Sequence, residues 1–171
     1  VGTGQNVHKQ RQTLIDCPRQ QRVISVTQTY EEFRQAFQLD QLTVYRNTGW
    51  TWSVRPGQPT LGASVISLNR FVERLSGMTV DEAADFRDIV VKAETTLRQV
   101  FGYQKINYLM LMMVDAHVHY HVIPRYDAPQ SFQGIDFVDN GWPKQPDLGT
   151  DNAEGRAELL AAIAEALGNG L

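Results

Sequence analysis

Cysteine is nearly absent. Cys17 is the only one in 171 residues, so no internal disulfide can form, and a reducing cytoplasm is the expected setting. Long apolar runs are missing too. The longest, 108–114, falls far short of the roughly 20 residues that span a bilayer. The segment 1–12 is polar, with no signal-peptide hydrophobic region; starting at Val1 rather than Met, it is expected to be a trimmed end. Basic residues are not in excess. Lys and Arg number 16 against 19 Asp and Glu, a net charge of −3, which argues against a grip on long nucleic acid. A small anion held by local donors stays open. Repeats and low-complexity tracts are also lacking. What remains, 42% hydrophobic and 20% charged, is ordinary globular composition that predicts one domain.

The chain divides into an N-terminal extension over 1–28 with little periodicity, a domain over 29–126, and a C-terminal loop and helix over 127–171 packed on it. Thr29 and Glu32 open a short helical pattern through Phe33, Ala36 and Phe37. Strands are predicted over 42–45 and 50–54, joined by a turn at 46–49, and a third over 63–68 follows a breaker-rich loop. Thr79 and Glu82 form a capping box ahead of a long amphipathic pattern (Ala83, Phe86, Val90, Ala93, Leu97, Val100) that Gly102 stops. Two strands near 105–113 and 115–123 follow, then a Pro- and Gly-rich loop. A closing helix carries Leu160, Ile163, Ala164 and Leu167 on one face. Strands joined by short connections predict an α+β domain with mainly antiparallel pairing.

Histidine is scarce except in one place. Of four in the chain, three stand at His117, His119 and His121, in a strand pattern that aims all three to one side and Val118, Tyr120 and Val122 to the other. A row of solvent-facing polar residues is the bland explanation; three imidazoles on one face make it a poor one. Zinc commonly takes two histidines from such a strand. Three successive same-face positions span about 13 Å, an awkward reach for one ion, and the other soft ligands, His8 and Cys17, are remote in sequence. Phosphoryl or nucleotidyl transfer suits the row better. The middle imidazole attacks phosphorus, and the outer two donate to phosphoryl oxygens or pass a proton to the departing group.

The string 115–125, Asp-Ala-His-Val-His-Tyr-His-Val-Ile-Pro-Arg, closely resembles the signature of the histidine triad superfamily, His-φ-His-φ-His-φ-φ with φ apolar. Its setting over about 40–126 is similar too: two strands, a Pro/Gly loop, a strand, a long helix, then the triad strand. The resemblance implies a five-stranded, mainly antiparallel sheet with one long and several short helices. It also implies a homodimer and hydrolysis or transfer of nucleoside monophosphate, from dinucleoside polyphosphates, nucleoside phosphoramidates or adenylated species. His119 would be the nucleophile, assisted at the phosphate by His117 and His121. A histidine in the third position resembles the hydrolase branches, including diadenosine polyphosphate hydrolases. No cofactor or metal is implied, and no membrane partner. The other class left open is a non-catalytic nucleotide- or metal-binding module that keeps the triad.

The chain departs from the family pattern around the triad. Leu111, Met112, Met113 and Val114 stand where Gln and Ser or Thr donors are usual, and Ala63 where a fourth histidine is common. Asp115 is suited to orienting an imidazole or capping a bend. Asn107 resembles a family asparagine near the phosphate, and Ser53 or Arg55 falls near the usual ribose-holding acid. Arg55 could fork onto a phosphate or be a solvated loop residue. Arg125 reads as packing and pairing at a strand end, and Trp50 and Trp52 as aromatic core rather than base-flanking rings. Three of the four methionines, at 110, 112 and 113, read as core filler. The stretch 141–143 is a candidate pocket wall.

Overall fold

The computed structural model describes residues 29–171; the N-terminal extension over 1–28, with His8 and Cys17, lies outside them. Helix α1 (Tyr30–Ala36) starts where the helical pattern opens, and the structure adds a capping box there, Thr29 and Glu32 each satisfying a backbone N–H of the other. A one-turn helix α2 (Leu39–Leu42) leads into β1 (Thr43–Arg46), β2 (Trp50–Val54) and β3 (Ser64–Leu68). The long helix α3 (Val80–Phe101) keeps its Thr79–Glu82 capping box and ends at Gly102, in the left-handed conformation that glycine adopts without steric cost. Strands β4 (Lys105–Leu109) and β5 (His119–Arg125) complete the sheet. Its order is β1-β2-β3-β5-β4, antiparallel at every pairing. This is the α+β, five-stranded arrangement expected from the sequence.

Beyond the sheet, β6 (Gln130–Phe132) and β7 (Ile135–Phe137) form a hairpin where only a loop is predicted. Its turn residues Gln133 and Gly134 both take positive φ, the backbone of a tight hairpin turn that Asn-Gly would have advertised and Gln-Gly does not. Helix α4 (Ala157–Asn169) closes the described chain.

Two layers flank the sheet. On one face Trp50, Trp52, Ile66, Leu68 and Val122 pack with Ile89, Ala93 and Leu97 of α3 and with Leu160, Ile163 and Leu167 of α4. Trp50 and Trp52 are wholly buried there, so they are core. The other face carries a smaller cluster, Phe33, Phe37 and Leu39 against Val65. Because residues paired across antiparallel strands point the same way, Val65 and its partner His121 share that second face.

Candidate active site

β5 lies between β3 and β4, so its backbone is hydrogen-bonded on both sides and its side chains are held in register. His119 stands opposite Ser67, and His121 stands between Val65 and Leu109. Two sequence expectations shift here. The strands are shorter than predicted, β4 ending at Leu109 and β5 starting only at His119. Between them Met112 takes a left-handed φ of 46°, which no continuing strand permits. His117 therefore precedes the strand, in a segment tied to the chain leaving β3: Val118 N–H donates to Val72 O at 2.7 Å, and Leu68 N–H to Val118 O at 3.2 Å.

The three imidazoles still lie on one side, packed under aromatic rings. Phe33 sits 4.7 Å from His117 and 5.2 Å from His119, centroid to centroid, and Phe37 sits 5.4 Å from His119. Tyr30 and Phe71 flank His117. The i, i+4 pair Phe33 and Phe37 was legible as the apolar stripe of a short helix; nothing in the sequence said that the stripe would cover histidines.

Hydrogen bonds assign the ring protons. His117 Nδ1 accepts from Val72 N–H at 3.2 Å, so its proton is on Nε2, which donates to Leu68 O at 2.8 Å. Both nitrogens are spent on backbone. His117 therefore cannot donate to a phosphoryl oxygen as the sequence reading expects; it joins β3 to the start of β5. His119 Nδ1–H donates to the His117 carbonyl at 2.7 Å, which leaves the lone pair on Nε2. His121 Nε2 lies 3.3 Å from that atom. Two facing lone pairs would repel, so His121 carries its proton on Nε2 and donates it to His119. Its buried Nδ1 then has no hydrogen-bond partner among the described residues.

Burial sets the charge. It pulls His117 and His121 down to about 4 and lowers His119 as well, against the rise given by its bond to the His117 carbonyl and by Asp115. With each held below the ordinary imidazole value, all three are neutral at pH 7.

His119 and His121 open onto a cleft of about 340 Å³, whose other walls include Phe37, Arg55, Leu111, Asp115 and Leu148. Of the residues singled out in the sequence, Arg55 and Asp115 thus join the two histidines. Ser53 does not: it is fully buried in β2, on the histidine side of the sheet beside its partner Val65, and its hydroxyl has no hydrogen-bond partner among the described residues. Asn107 is also apart, accepting from Arg125 Nη1 at 2.7 Å. Arg125 in turn is clamped by both carboxylate oxygens of Asp139, at 2.6 and 3.0 Å, which makes it a buried structural pair. Trp142 and Pro143 border a different depression, with Asn107, Lys105 and Lys144. Ala63 is buried, and its carbonyl accepts from Gln58 Nε2.

Arg55 is half-buried rather than solvated. Its Nη1 donates to Gly57 O, while its buried Nε has no hydrogen-bond partner among the described residues. The loop that carries it is braced from a distance. Gln58 Nε2 donates to Arg55 O and Ala63 O, Gln58 N–H donates to Asp151 Oδ1, and Asn152 donates to the carbonyls of Gln58 and Pro59. Sequence reasoning missed Leu148 and these braces, because nothing local marks them. It also misjudged the methionines. Met110 and Met112 pack against the core, but Met113 is 88% exposed at the cleft, as is Val114.

No family model matches the chain, and no curated protein does. Among solved structures it is similar to a hypothetical histidine triad nucleotide-binding protein from Sulfolobus tokodaii, with 14% identity, a TM-score of 0.57, and 75% of this chain and 82% of that one covered. A histidine triad protein from Sinorhizobium meliloti aligns at 15% identity and a TM-score of 0.57, covering 78% of this chain and 93% of that one. A diadenosine triphosphate hydrolase from Plasmodium falciparum aligns at 11% identity and a TM-score of 0.52, covering 75% of each. Over about three quarters of its length, the chain has the fold of the histidine triad proteins.

Proposed function

We propose that the chain is a nucleotide hydrolase that cleaves a phosphoanhydride or phosphoramidate bond through a covalent nucleotidyl-His119 intermediate, with dinucleoside polyphosphates and nucleoside phosphoramidates as the substrate class. The observation that carries it is the state of His119. Its Nδ1–H is committed to the His117 carbonyl, and its Nε2 is a neutral lone pair at the wall of an open cleft. That is what a nucleophile needs.

In the first step Nε2 forms a bond to phosphorus and the leaving group departs with its electron pair. The imidazole becomes cationic, and the Nδ1–H bond to the carbonyl strengthens as it does. His121 gives up its contact with His119 and turns its Nε2–H to a phosphoryl oxygen or to the leaving oxygen of a phosphoanhydride; the nitrogen of a phosphoramidate takes a proton from solvent and leaves as the amine. Arg55 Nε is a second donor for the phosphoryl group. Water then attacks phosphorus, the N–P bond breaks, and its electron pair returns to His119. Homodimerisation and a cytoplasmic setting belong to this proposal.

The test is a screen of diadenosine polyphosphates and adenosine phosphoramidate, with His119→Ala as control. The variant is expected to lose at least about 10³-fold in kcat while keeping the wild-type circular dichroism. Quenched wild-type reactions should show the mass of a nucleotidyl adduct. An active His119→Ala enzyme overturns the mechanism.

A further inference from the structure

The nucleophile is under cover. His119 is 1% exposed and His121 7%, although both border the cleft. Attack on phosphorus begins with the two atoms about 3–3.5 Å apart, and a tetrahedral phosphoryl group cannot come that close to an imidazole so nearly enclosed. What encloses the row is α1 with Phe37, the residue that ends it. Tyr30 lies against His117, Phe33 against His117 and His119, and Phe37 against His119 and His121. The cover is apolar and the floor is not. Ser67 stands opposite His119, and Ser53 opposite Val65, on this face of the sheet. Both hydroxyls, like Nδ1 of His121, are buried with no hydrogen-bond partner among the described residues. Polar groups left so are costly, and the cost is relieved whenever the cover lifts and water or a ligand reaches them.

The cover is also lightly fastened. Every hydrogen bond that residues 29–38 make among the described residues stays within 29–42. Helix α1 therefore rests on the sheet through its rings. The long helix is held differently: Asn47 Nδ2 donates to Asp85 O and Trp50 Nε1 to Glu82 O, so the β1–β2 turn and β2 grip α3 by hydrogen bonds. Between α1 and α2 lies a joint. Gln38 takes φ 50° and ψ 42°, a left-handed conformation that residues with a side chain adopt at a cost. Beyond it the chain is fixed, with Leu39 and Leu42 buried and Leu39 O accepting from Thr43 Oγ1.

We propose that α1 is a hinged lid, closed in this structure, which turns about Gln38 to admit substrate to His119 and uncovers Ser53 and Ser67 as it does so. The inference rests on the nucleotide-hydrolase proposal only for what enters, and its first test needs no turnover. Diethyl pyrocarbonate modifies neutral imidazoles, and peptide mass spectrometry locates the adduct on His119. Wild type should react there slowly beside N-acetylhistidine, with a urea dependence well below that of α3 amide exchange, the mark of a local opening. Gln38→Pro cannot hold a positive φ, and Phe33→Ala removes the central ring; each should speed the reaction about tenfold or more. Ser67→Ala relieves the closed floor of an unpartnered hydroxyl and should slow it about fivefold or more. Near-ultraviolet circular dichroism shows whether each variant keeps its core; if Gln38→Pro does not, Phe33→Ala decides. Modification as fast as that of N-acetylhistidine, a urea dependence matching global unfolding, or a rate that the folded hinge or ring variant or Ser67→Ala leaves unchanged overturns the lid. In turnover of diadenosine triphosphate, the opening variant should raise kcat/KM by the factor by which it speeds modification, since substrate no longer waits on the opening. An unchanged kcat/KM overturns the lid as the way in. If the modification pattern holds and no form of the protein turns over a nucleotide, the lid stands and the hydrolase proposal fails.

Discussion

His117 and His121 flank the same residue, yet their surroundings give them opposite uses. His117 satisfies a buried backbone donor and a buried backbone acceptor. Replacing it with Ala strands both, and urea unfolding should show a loss of about 1–3 kcal/mol. His121 has a buried nitrogen without a partner among the described residues, and its one hydrogen-bonding contact there is to His119. His121→Ala should change stability little and lower kcat by about 10²-fold, the scale of one lost hydrogen-bond donor to the phosphoryl oxygens in the transition state. Equal stability losses in the two variants would refute this division of labour. The triad was legible in the sequence because alternation along a strand is a strict rule. The division was not, since it depends on where the strand begins, and that is fixed by Met112 and by the bonds that Leu68 and Val72 make.

Each long element obeys a signal that the sequence carries openly, and each missed element lacks one. The capping box of α3 is the clearest case, and its helix lies on the face of the sheet away from the cleft. Thr79→Ala should therefore cost about 1 kcal/mol of stability and leave kcat unchanged; a fall in turnover would show that α3 reaches the site. The hairpin of β6 and β7 escaped notice because Gln133 is an unusual residue for its φ of 49°. Asn in its place should raise the melting temperature, since Asn tolerates the left-handed region better. Of the residues proposed as ligand contacts, Arg55 and Asp115 reach the cleft and Ser53 and Asn107 do not. Position along a strand could not separate them, because the distinction lies in which loops overhang the sheet.

For the molecule as a whole, the buried imidazoles couple folding to acidity. His117 and His121 titrate near 6.5 when unfolded and about 4 when folded, so between those values the unfolded chain binds more protons than the folded one. Stability is full above about pH 6.5 and falls as pH drops toward 4, by at most about 1.4 kcal/mol per unit for each histidine. Urea midpoints at pH 7 and pH 5 measure the slope, which should be shallower in His117→Asn; an unchanged slope there would assign the acid sensitivity to other groups. Turnover should keep its acid limb below 6.5, because His119 is neutral above it.

The braces between the Arg55 loop and residues 151–152 have a consequence in time. Gln58 and Asp151 are 93 positions apart, so the outer braces of the loop bearing Arg55 form only after the chain between them has been made and folded back. During synthesis the histidines could be stacked on a finished sheet while the Arg55 loop is held only by its bonds to Gly57, Gln58 and Ala63. Contacts this distant in sequence close late and slowly. The finished shape of the cleft would then be the last property the chain acquires, and a nascent chain halted before residue 151 would hold the triad beside a loop that is only half fastened.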